Sequence, residues 1–158
     1  MATRLCTAIV LLTMACGVQA LDSGPRIPPG MADLETGRGF IALRTDSRVR
    51  YEAGAVSMAR RVAKVLQPSI ARVERAHGRA FRRSVEVYVL ATQRSFVRLS
   101  PDAQALTRKG RVYLAPGLFE GHTNVAGILT HELSHAHFMQ YLGTDRRSPQ
   151  IPAWFREG

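Results

Sequence analysis

The pentapeptide His131-Glu132-Leu133-Ser134-His135 sets two imidazoles four residues apart with a carboxylate beside the first. On a helix the two rings share one face at the spacing that holds a single Zn²⁺. The glutamate stands where it can take a proton from a water that such a metal activates. His131 and His135 are therefore read as metal ligands and Glu132 as a general base, the outline of a hydrolytic zinc site. The competing account is a pair of core histidines bonded to backbone groups.

Zinc needs a third protein ligand. His137 follows His135 by two residues and points about 200° away around a helix, which keeps it off the same metal. A further His-x-x-Gly-x-x-His extension would need Gly at 138 and His at 141, where the chain has Phe138 and Tyr141. Two carboxylates remain downstream, Asp145 and Glu157. Asp145 follows Gly143 closely and would have to fold straight back. Glu157 lies in Pro152-Ala153-Trp154-Phe155-Arg156-Glu157-Gly158, where proline at a first helical turn and two aromatics read as a second helix docking on the first.

The element that must carry the pentapeptide is a helix over 124–143. It is free of proline, with Thr123 or Asn124 as N-cap and Gly143 as its stop. At about 100° per residue, His131, His135, Phe138 and Leu142 form one stripe with Glu132, Ile128 and Met139 beside it. Val125, Leu129, Leu133 and Ala136 widen the apolar arc, so the helix is expected to be largely buried.

Upstream, residues 40–44 read as a short strand followed by a polar turn through Asp46 and Ser47. A helical pattern runs from about 53 to 77, with Pro68 kinking or dividing it and His77 capping its end before Gly78. Residues 84–90 alternate and are rich in β-branched side chains, the strongest strand signal in the chain. Thr92 caps a short helix through Phe96 and Leu99, and after a polar loop residues 110–116 form a brief strand stopped by Pro116. This order is α+β, a small sheet packed on helices.

The chain has 158 residues, 46% of them hydrophobic and 22% charged, which is the balance of one globular domain. Arg4, the apolar run over 5–18 and Val18-Gln19-Ala20 read as a signal peptide cleaved after Ala20, too short to span a membrane. Cleavage removes both cysteines, Cys6 and Cys16, and the mature chain is expected in the periplasm or outside the cell. A lipid anchor on Cys16 is the weaker reading of the same stretch. Residues 21–39, rich in Gly and Pro, read as a flexible leader. The net charge of +10 is spread over scattered arginines without aromatic interleaving, a solvated basic surface and not a specific nucleic-acid platform.

The paired motifs, His131-Glu132-x-x-His135 and Pro152-x-Trp154-x-x-Glu157-Gly158, resemble the gluzincin metallopeptidases, in particular the peptidase MA-like domains. The likeness covers roughly residues 40–158. It implies a zincin-like fold, a small twisted mixed sheet with an edge strand packed on a buried active-site helix. It also implies Zn²⁺ on His131, His135 and Glu157, Glu132 as general base, and a peptide or protein substrate. In that family the last strand before the helix borders the cleft and pairs with substrate, a role that falls to Val112, Tyr113 and Leu114. The family's helix continues past the Glu-Gly pair, so the domain is expected to lack its C-terminal part here. The alternative is a secreted zinc-binding peptidase-like domain, or a gene fragment, impaired in catalysis. His122 and Tyr141 are the residues considered for steadying the oxyanion.

Overall fold

Val87 and Val89 alternate with Tyr88 and Leu90, and the alternation sends the two pairs into different hydrophobic clusters. A strand can do this only if both faces of its sheet are covered. The computed structural model describes Leu34 and residues 36–142. The five strands are β1 (Ile41–Leu43), β2 (Asp46–Tyr51), β3 (Glu86–Val89), β4 (Ala105–Arg108) and β5 (Arg111–Leu114). They form one mixed sheet in the order β1-β2-β3-β5-β4. The pairs β2/β3 and β3/β5 are parallel, and the outer pairs β1/β2 and β4/β5 are antiparallel. The helices are α1 (Val56–His77), α2 (Gln93–Val97) and α3 (Val125–Leu142), with a 3₁₀ turn over Pro116–Phe119.

The parallel pairing of β2 with β3 requires a crossover, and α1 supplies it. α1 and α3 pack on one face of the sheet, where Ala59, Val62, Leu66, Leu129 and Leu133 meet Val49, Val87, Val112 and Leu114. The other face carries Tyr88, Leu90, Phe96 and Tyr113, covered by Leu34, Phe40 and Leu99. Tyr113 donates its hydroxyl to the Leu34 carbonyl at 2.9 Å, so the end of the expected leader is docked on the sheet. Residues 1–20 lie outside the described residues. Among the described residues no helix is long and apolar enough to cross a membrane.

Four expectations change. Asp46 and Ser47 begin β2 and are not a turn. Of the two outcomes expected at Pro68, division does not occur: α1 runs through it, and the proline sits on the exposed side, where the carbonyl of Lys64 can turn to water for its missing donor. The expected polar loop before 110 contains β4, joined to β5 by the two-residue turn Lys109-Gly110, both with positive φ (52° and 75°). As a result β5 is not the edge strand. Val112, Tyr113 and Leu114 are buried and their backbone is paired on both sides, with β3 and with β4. The strand that ends the sheet on this side is β4, which the expectation for Val112, Tyr113 and Leu114 did not include.

Candidate metal centre

Asn124 starts the helix that carries the site. Its Oδ1 accepts the Gly127 N–H at 2.9 Å, and a Cβ on Gly127 would meet the cap's Nδ2 at 2.7 Å, so glycine leaves room for the cap. Val125, Leu129, Leu133 and Ala136 face inward. That orientation leaves His131 exposed, His135 half-buried and Leu142 46% exposed, so the histidine stripe is the outer edge of the helix and not its buried face.

The Nε2 atoms of His131 and His135 stand 3.1 Å apart, with the rings edge to face. Two nitrogens on one tetrahedral zinc, each about 2.0–2.1 Å from it, would be about 3.3 Å apart. The pair therefore fits two adjacent positions of such a shell. Burial lowers the pKa of His135; the Glu132 carboxylate opposes that shift and His131 adds to it. A lowered pKa keeps the ring neutral and its lone pair ready for a cation at neutral pH.

Glu132 is buried, at 7% exposure. Its Oε2 accepts the Thr107 hydroxyl at 2.7 Å, and the same hydroxyl lies 2.8 Å from the Glu132 carbonyl oxygen. One proton facing two acceptors ties the carboxylate and the helix backbone to a single point on β4. The edge strand and the proposed base are thus in direct contact. Ala115 N–H donates to Gln104 O at 2.8 Å, and from there the antiparallel alternation turns the backbone groups of Ala105 and Thr107 away from β5, toward the open side.

His137 faces the opposite way and is buried. The Arg79 carbonyl can only accept, so His137 Nε2, 3.0 Å away, carries the proton. Its Nδ1 then accepts from His77 Nδ1–H at 3.0 Å, and His77 Nε2 accepts the Ser134 hydroxyl at 3.0 Å. His77, expected to cap α1, instead ties the end of α1 to the middle of α3. Gly78, with φ 64°, ends the helix.

Desolvation, and secondarily His137, lower the pKa of His77. The unfolded chain therefore binds more protons than the folded one in the lower part of the imidazole range. Stability is complete above that range and is lost as pH falls through it. In metal-free protein, His77→Gln should flatten this acid-side loss without removing it, since His135 shifts in the same direction. Urea midpoints at pH 7.5 and 5.5 check this, and identical slopes for the two proteins would refute it.

Among the described residues no three His, Cys, Asp or Glu side chains come together as a metal-binding group. The structure joins His131, His135 and Glu132 on α3. The carboxylates Asp145 and Glu157, with Pro152 and Trp154, lie outside the described residues. Tyr141 donates to the Ala80 carbonyl at 2.6 Å, away from the pair, and His122 is exposed in the loop before α3. Thr107 went unread in the sequence because its segment looked like a loop; the signal available was the two-residue Lys-Gly turn between short alternating runs. Comparison with protein-family models, with characterised proteins and with solved structures gives no match.

Proposed function

We propose that the chain is a zinc-dependent metallopeptidase of zincin-like fold, exported to the periplasm or beyond. The observation that carries this reading is the convergence of His131 Nε2 and His135 Nε2, 3.1 Å apart across one turn of helix, with the buried Glu132 next to His131 in the chain and held by the edge strand. The sequence resemblance adds Glu157 as the third ligand.

Zinc held by His131, His135 and Glu157 would act as a Lewis acid on the peptide carbonyl and lower the pKa of a water toward roughly 7. Glu132 takes a proton from the attacking water and later delivers it to the leaving amine. Thr107 keeps the carboxylate in one rotamer while it does so. Ala105 and Thr107 offer backbone groups to an extended peptide, which adds to β4 as a further strand. Because Thr107 also touches Glu132, a peptide bound to the edge lies beside the base.

The test is metal removal. Purified protein should contain one zinc per chain and cleave unfolded casein; dialysis against a chelator should remove both properties, and stoichiometric zinc should restore them. Activity that survives complete zinc removal would sink the proposal. Zinc retained without any hydrolysis would favour the alternative, a secreted zinc-binding domain of peptidase type.

A further inference from the structure

Three hydrogen bonds join Ser134, His77, His137 and the Arg79 carbonyl in one line, each 3.0 Å long. The carbonyl at its end can only accept, and this fixes every proton along the line. His137 gives its Nε2 proton to the carbonyl, and His77 gives its Nδ1 proton to His137. His77 Nε2 is left with a lone pair facing the Ser134 hydroxyl. A hydroxyl bonded to one nitrogen of an imidazole, with the other nitrogen held by a third group, is the arrangement that activates a serine for attack.

A line that only tied α1 to α3 would have no need of access, yet one end of this line is accessible. Ser134 and His77 both border a cavity of about 410 Å³ between the two helices, and neither is fully buried. His137 is buried and lies behind them, outside the lining. Val73 and Ala76 give the cavity an apolar wall, and Arg72 brings a positive charge to it, of use where an acyl transfer develops an oxyanion. Burial holds the pKa of His77 below its usual value, so the ring is neutral at pH 7 and able to take a proton. His131 borders the same cavity about one turn before Ser134. Glu132 does not: it lies about 200° around α3 from Ser134, on the side of β4.

We infer that Ser134 is a second nucleophilic centre, acting on small carboxylic esters, with His77 as its base and His137 as the residue that positions His77. Ser134 Oγ bonds to the acyl carbon while its proton passes to His77 Nε2. The bond from the acyl carbon to the alcohol oxygen breaks, and the alcohol leaves with that proton. Water then attacks the acyl-serine, giving a proton to His77, which returns it to Ser134 Oγ as the carboxylic acid departs. None of these steps uses the metal centre.

The probe is an alkyl fluorophosphonate, which forms an Oγ–P bond on an activated serine with loss of fluoride. It is applied to the purified wild-type protein and followed by mass spectrometry, with p-nitrophenyl acetate hydrolysis measured beside it. One adduct should form, on Ser134, and Ser134→Ala should lose both the adduct and the ester hydrolysis. His77→Gln should slow labelling by about 10²-fold or more. His137→Asn, which sets an amide oxygen close to the place of Nδ1, should restore the labelling that His137→Leu loses, and equal rates in these two would remove His137 from its role. Labelling and ester hydrolysis should both persist after dialysis against a chelator. Absence of an adduct on Ser134, ester hydrolysis unchanged in Ser134→Ala, or ester hydrolysis lost with the zinc would overturn the inference. Casein cleavage by the wild-type protein separates the two proposals. Cleavage without the adduct removes this centre and leaves the peptidase; the adduct with ester hydrolysis but no zinc-dependent cleavage leaves this centre and removes the peptidase.

Discussion

Glu132→Gln should leave zinc content at one per chain and lower casein hydrolysis by about 10²- to 10⁴-fold. The substitution is close to isosteric, and the amide oxygen can still accept the Thr107 hydroxyl that the carboxylate accepts at 2.7 Å. The buried position therefore keeps its hydrogen bond, and α3 keeps its contact with β4. What is lost is the ability to take a proton. Melting temperature and zinc stoichiometry close to wild type, together with collapse of turnover at an unchanged KM, is the pattern of a missing base. Unchanged turnover would remove Glu132 from that role. A loss of zinc or of fold would instead assign the buried carboxylate to the structure of the helix.

How much of this was legible in the sequence depends on how local each signal is. The i, i+4 histidines, the Asn124 cap and the inward face through Leu129 and Leu133 all belong to one helix, whose periodicity the sequence carries by itself. The strands that proved hard are the charged ones. β2 holds Arg48 and Arg50 inside a sheet, which is tolerable because Asp46 pairs with Arg48 at 2.7 Å and Glu86, on the neighbouring strand, pairs with Arg50 at 3.2 Å. Only Val49 of β2 is fully buried, so no apolar alternation is left to read. β4 is shorter and has a threonine at its one buried position. That threonine is buried because it bonds to Glu132, 25 residues away in sequence, a partner that no window on the local pattern contains. The Ser134-His77-His137 line joins helices 57 and 60 residues apart in the same way.

Removing either imidazole should lower zinc affinity by more than about 10²-fold, because changes to groups that merely orient a ligand already cost 10–100-fold. His131→Ala is the cleaner of the two substitutions: the ring is exposed, so its removal leaves the core intact. His135 is half-buried, and its removal should cost little more in the metal-free protein. The readout is thermodynamic and needs no turnover. At free zinc equal to 100 times its dissociation constant the wild-type protein gains about 2.7 kcal/mol of stability, and neither variant should gain a comparable amount at the same zinc concentration. Glu157→Ala extends the argument to the third position. If Glu157 is a ligand, its loss should match the histidine variants, while Asp145→Ala should leave affinity near wild type. Wild-type affinity in Glu157→Ala would refute the third ligand and leave the two-histidine pair standing. Wild-type affinity in both histidine variants would remove the metal centre itself.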